Sequence, residues 1–76
     1  MHENYSYNEI MSIGEIIKSL RLENGMTQTD LAVLLFTSQD TISLWERNKS
    51  LPDVKSVILM ASIFKVTTDY ILGVEE

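Results

Sequence analysis

The chain of 76 residues contains no cysteine, a single proline, three glycines and one histidine. Without cysteine, neither a disulfide nor a thiolate-ligated zinc can staple so short a chain. The lone histidine, His2, stands in the first few residues, which argues against a histidine-based catalytic cluster or metal site. There is no glycine-rich phosphate loop, and no apolar run approaches the ~20 residues that a membrane span requires. Neither an enzyme nor a cofactor is therefore expected, and no membrane partner. No charged-then-apolar leader opens the sequence, so a cytoplasmic, reducing location is expected. Basic residues are scarce as well: six Lys plus Arg face eleven Asp plus Glu, a formal net charge of −5. That balance counts against a nucleic-acid partner. Its distribution softens the objection, because Glu3, Glu9, Glu75 and Glu76 lie near the ends while Arg47, Lys49 and Lys55 lie close together.

What the chain does have is 45% hydrophobic residues, enough for one small domain held by apolar packing. A domain of this size buries only ~60% of its unfolded surface and has little stability in reserve. Residues 1–11 show no sustained period and read as a flexible tail, with Tyr5, Tyr7, Ile10 and Met11 as candidates to dock on the body. Residues 12–76 read as the domain. A first helix over 13–23 carries the stripe Ile13, Ile16, Ile17 and Leu20 behind a Ser12/Glu15 capping box, and Asn24-Gly25 ends it. A second helix over 28–35 follows the N-cap Thr27, with Asp30 three residues on. A third over 39–46 follows the N-cap Ser38, leaving only Thr37 and Ser38 to turn the corner. Pro52 marks a loop over 48–52. A fourth helix, capped by Asp53, runs to Phe64 with Val54, Val57, Ile58, Ala61 and Phe64 inward. A fifth, over 68–72, is capped by Thr67 and ended by Gly73. The expectation is an all-α, compact five-helix domain without strands.

The second and third helices are the informative pair. Leu31, Ala32 and Leu35, then Ile42 and Trp45, give each helix one buried face. Such a tight pair holds its second member rigidly proud of the body, at a width suited to a DNA major groove. Trp45, spaced from Ile42, belongs to the inner face and to the core.

Five pieces stand in order: Ile13-Gly14 with Ile17 and Leu20-Arg21; Met26-Thr-Gln-Thr-Asp-Leu-Ala32; Ser38 to Glu46; Pro52; and Ala61 through Leu72, ending in Val66-Thr-Thr-Asp-Tyr-Ile-Leu72. Together they resemble the phage-repressor and Cro type of helix-turn-helix regulator, often called the Xre family, over residues 12 to 73. The resemblance implies a lambda-repressor-like fold and a sequence-specific DNA-binding transcriptional regulator. It further implies a repressor bound as a homodimer to a two-fold operator on double-stranded DNA, with the third helix in the major groove. Carried over by position, Thr27 and Gln28 would approach a phosphate at the start of the second helix. Gln39, Asp40, Ser43 and Leu44 would face bases, with Ser38 and Thr41 on the flanks, and Arg47 and Lys49 would contact phosphates. Arg21 and Glu46 would form a structural ion pair between the first and third helices.

The chain departs from the family pattern at Phe36, Asn48 and Lys65, which replace common glycines. Either Phe36 takes a left-handed conformation held by packing, or the second helix ends differently. Asp40 brings a carboxylate close to phosphates. Val33, Leu34, Phe36 and Leu44 form an apolar set, of which at least Val33 and Leu34 should face outward where the family usually has polar residues, and two readings stand: a wider core covered by the N-terminal tail, or an exposed patch for a protein partner. Tyr70, Ile71, Leu72 and Val74 are read as a homodimer seam. The competing function is a protein-interaction module, antirepressor or antitoxin-like, that keeps the fold with weak or no DNA binding.

Overall fold

Each helix begins where a short polar side chain closes its first turn. The computed structural model describes residues 11–74 and contains, among them, α1 (Ile13–Glu23), α2 (Gln28–Leu34), α3 (Gln39–Glu46), α4 (Val54–Phe64) and α5 (Thr68–Leu72), with no strand. The side chains of Ser12, Thr27, Ser38, Asp53 and Thr67 accept from the backbone N–H of Glu15, Asp30, Thr41, Ser56 and Tyr70. Ser12/Glu15 and Thr27/Asp30 are complete, reciprocal capping boxes. A cap of this kind contributes about 1 kcal/mol, a real fraction of the stability of so small a domain.

The helices also end alike. Gly25, Phe36, Asn48, Lys65 and Gly73 all have φ between 59° and 77°. The residue after each donates its N–H to a carbonyl five positions back: Met26 to Arg21, Thr37 to Ala32, Lys49 to Leu44, Val66 to Ala61, and Val74 to Asp69, at 2.8–3.0 Å. This termination demands a left-handed residue, which is why three non-glycine residues are held in a conformation that normally favours glycine. Phe36 takes it with a side chain 85% exposed, so packing of its ring does not secure the turn. In addition, α2 stops at Leu34, one residue earlier than the sequence suggests. Leu35 and Phe36 therefore join Thr37 and Ser38 in the corner into α3, which spans four residues, 35–38.

The core takes one fully buried residue from every helix: Ile17, Leu31, Ile42, Met60 and Ile71. α3 packs against both α1 and α2, and α5 joins α4 back to α1. Two expectations are corrected here. Val54 and Ile58 of α4 do not point inward; they are 76% and 56% exposed. α4 seats instead on Val57, Met60 and Phe64, with Ser56 buried beside them and its hydroxyl donating to Asp53 at 2.7 Å. That row leaves Val54 and Ile58, one turn apart, turned outward beside it. The expected tail lies outside the described residues except for Met11, which is exposed. No helix among the described residues is long and apolar enough to cross a membrane.

Two expected outcomes follow from these ends. Phe36→Gly relieves the left-handed strain and should raise stability by roughly 0.5–1 kcal/mol after glycine's own entropy cost, seen as a higher urea midpoint with an unchanged slope. The backbone N–H of Thr27 holds the Asp30 carboxyl below the usual carboxylate range, and the Ser56 hydroxyl does the same for Asp53. These carboxylates contribute stability that is fully present above the unfolded value of about 3.9 and is lost as pH falls through the lower folded values. The Asp30→Asn, Asp53→Asn double variant should accordingly show a shallower loss of stability below about pH 4, measured by urea unfolding at stepped pH.

Candidate nucleic-acid interface

α3 is held from beneath by Ile42 and Trp45, both buried in the core, and the helix packs against α1 and α2. On its outer side Gln39, Ser43 and Arg47 follow one another at four-residue spacing, and Asp40 and Leu44 form the adjacent row. Gln39, Asp40, Leu44 and Arg47 are exposed, and Ser43 is half-buried. The Arg47 Nε donates to the Ser43 hydroxyl at 3.1 Å, laying the guanidinium back along the helix. Lys49 is exposed just beyond the end of α3. Asp40 lies in the first turn of α3, where the helix dipole favours a carboxylate.

The remaining expected residues divide by task. Ser38 caps α3, and its hydroxyl pairs with that of Thr41 at 2.9 Å. Thr41 lies beside Trp45, Leu59 and Lys55 in a recess of about 220 Å³, off the outer rows. Thr27 is occupied as the cap of α2, with its hydroxyl accepting from Asp30 N–H and its own N–H donating to the Asp30 carboxylate.

Arg21 and Glu46 form a two-point pair, Nε to Oε2 at 2.7 Å and Nη2 to Oε1 at 3.0 Å, with side chains only 8% and 3% exposed. The remaining guanidinium nitrogen donates to the Met26 carbonyl at 2.8 Å, in the link between α1 and α2. The hydrogen bond to Glu46 raises the Arg21 pKa above its ordinary value, against burial. Gln28 Nε2 also donates to Glu46 Oε1, at 3.0 Å, and Gln39 Nε2 donates to Gln28 Oε1 at 2.6 Å. This chain of four side chains joins the interior to the outer face of α3. Sequence reasoning missed the links through Gln28, because separations of 18 and 11 residues carry no periodic signal.

A second device clasps the start of α1 to the same end of α3. Gly14 N–H donates to Asn48 Oδ1 at 3.1 Å, and Asn48 Nδ2 donates to Ser12 Oγ at 2.9 Å. The start of α1 approaches the end of α3 so closely that a methyl group on Gly14 would collide with the Trp45 carbonyl. Asn48 was expected only as a glycine substitute; it is also the clasp. Among the described residues, no histidine or carboxylate cluster is placed to hold a metal ion.

Residues 17–71 match the helix-turn-helix family model. The chain belongs to that family. It is 33% identical over 66 residues to the HTH-type transcriptional regulator ImmR of Bacillus subtilis (strain 168), covering 87% of this chain and 52% of that protein. It is 36% identical over 66 residues to the HTH-type transcriptional activator BcrR of Enterococcus faecalis, covering 87% of this chain and 32% of that one. The chain thus spans about half or less of the length of these relatives. Its fold is similar to that of the P22 c2 repressor, solved in complex with a synthetic operator, with a TM-score of 0.79 at 25% identity over 86% of this chain and 98% of that one. Membership of the phage-repressor type of this family, expected from the motifs, is thereby established.

Removing Arg21 strands a buried carboxylate. Arg21→Leu should cost roughly 3–5 kcal/mol, whereas adding Glu46→Leu should restore much of that loss. Urea unfolding of the two single variants and the double variant measures the coupling.

Proposed function

We propose that this chain is a sequence-specific DNA-binding transcriptional regulator, a repressor that occupies a two-fold operator as a homodimer with α3 in the major groove. The observation that carries this reading is the outward face of α3, seated rigidly on Ile42 and Trp45, in a chain of this family. Residues 12–76 are the binding unit. Gln39, Asp40, Ser43 and Leu44 meet base edges, where glutamine suits adenine, aspartate suits the cytosine amine, and leucine suits a thymine methyl. Ser38 and Thr41 flank them. Arg47 and Lys49 contact phosphates, and Thr27 and Gln28 approach the backbone from the start of α2, Gln28 through its second amide N–H. Support also comes from the P22 c2 repressor, whose structure holds a synthetic operator. BcrR is a transcriptional activator; repression by this chain follows from occupancy of the operator alone.

The homodimer seam needs one correction. Ile71 is fully buried in its own protomer and cannot face a second copy, whereas Tyr70, Leu72 and Val74 are exposed. Val54 and Ile58, turned outward on α4, adjoin Leu72 around an apolar groove of about 320 Å³. We therefore propose the seam on the α4–α5 face rather than on α5 alone. A second reading, a protein-interaction module, draws on Val33, Leu34 and Phe36, which are all exposed.

Selection of random duplexes by the purified protein separates the two: an enriched palindrome is expected, and its absence alongside a stoichiometric protein complex favours the module. On the enriched site, the two cationic phosphate contacts of each protomer, Arg47 and Lys49, give a slope of about −4 for log affinity against log salt, and a slope near zero contradicts phosphate-driven docking. Gln39→Ala should relax sequence preference, while Arg47→Ala should weaken all sites alike.

A further inference from the structure

The buried ion pair reaches the outer face of α3 through hydrogen bonds whose direction is forced at one end. Glu46, the anionic partner of Arg21, can only accept. It accepts from Arg21 Nε and Nη2 and, at 3.0 Å, from Gln28 Nε2. The Gln28 amide must therefore turn its nitrogen inward and its oxygen outward. That oxygen lies 2.6 Å from Gln39, which must turn its own nitrogen toward it. Each amide is thus oriented by the one beneath it.

We infer that the Arg21–Glu46 pair is a positioning device for base recognition, which through Gln28 fixes the orientation of the Gln39 amide and so favours adenine over guanine at the base that Gln39 meets. The inference rests on the DNA-binding reading above. In the fixed orientation, Gln39 keeps its carbonyl and one N–H for the groove. Adenine offers there an N6 amine and an N7 acceptor, the complement of that pair. The reversed amide would accept from Gln28 and keep both N–H groups outward, which suits the two acceptors of guanine, O6 and N7. Exchanging oxygen for nitrogen barely changes the shape of an amide, so without the carboxylate at the base of the chain nothing distinguishes the two orientations. Glu46 and Gln28 are positioning residues here; neither is required to touch the base.

Two measurements test this. The first uses the free protein. Gln28 and Gln39 are its two glutamines, so their side-chain amide resonances are readily assigned by NMR. The Gln39 amide should be ordered on the nanosecond timescale in the parent and released in Gln28→Ala, a change that leaves the Arg21–Glu46 pair in place. A Gln39 amide equally mobile in both proteins would overturn the inference whether or not DNA is bound. The second is duplex selection with the parent, Gln28→Ala and Glu46→Gln. Adenine is expected at one position per half-site in the parent, with its preference over guanine falling roughly tenfold in either variant. An undiminished preference in Gln28→Ala would overturn the inference. Should Glu46→Gln fail to fold, the Arg21→Leu, Glu46→Leu double variant, which removes the carboxylate without stranding a charge, takes its place, and an undiminished preference there would equally overturn the inference. Should the parent enrich no duplex, the DNA-binding reading fails, and the amide dynamics decide the positioning role separately.

Discussion

The placement of α3 depends on the contact between Arg21 and Glu46. Arg21 leaves the last turn of α1 and closes on the last residue of α3 with two hydrogen bonds, while a third fastens the link into α2. One side chain therefore registers three helices. Its neighbours make the close approach possible: Gly14 leaves room for the Trp45 carbonyl, and Asn48 ties the end of α3 to the start of α1. With α3 fixed at that end and seated on Ile42 and Trp45 along its length, its outer side chains are presented by a rigid element, as recognition of a regular groove requires.

This arrangement also resolves the tension in the composition. A net charge of −5 counts the acids without regard to where they stand. Glu15, Asp30 and Asp53 accept backbone N–H groups at the starts of α1, α2 and α4, where helix dipoles favour them, and Glu46 is matched by Arg21. Four of the eleven acids thus serve helix starts or the internal pair, while Arg47 and Lys49 stand at the exposed end of α3, with Asp40 at its start. Net charge describes the solubility and steering of a whole chain better than it describes one face.

The helix boundaries were legible because they are written in single residues. Ser12, Thr27, Ser38, Asp53 and Thr67 each combine a short side-chain acceptor with a following apolar period, and Gly25 and Gly73 close two of the ends. Where the terminator is not glycine, the sequence says less, and Phe36 left the length of the corner open. α4 was misread for a different reason. Val54, Val57, Ile58, Leu59, Met60, Ala61, Ile63 and Phe64 make it apolar nearly all round, so periodicity cannot choose the buried row, and contact with α5 chooses it instead. Ile71 was lost in the same way among Tyr70, Leu72 and Val74. At the candidate interface, residue types and spacing placed Gln39 and Glu46 on α3, but the hydrogen bonds that connect them through Gln28 exist only once α1, α2 and α3 are packed.

Those connections bear on why an ion pair occupies the junction at all. Two apolar side chains of similar volume would hold α1 against α3 about as well, since desolvation offsets much of the attraction in a buried pair. Net stability is thus a weak reason for Arg21 and Glu46 to be there. An apolar pair, however, has no direction to pass on. It would seat α3 and leave Gln28 without an inner partner, its amide free to turn either way. A carboxylate held in place by Arg21 accepts and never donates, and that asymmetry is the one property of the junction that can be felt at the surface of α3.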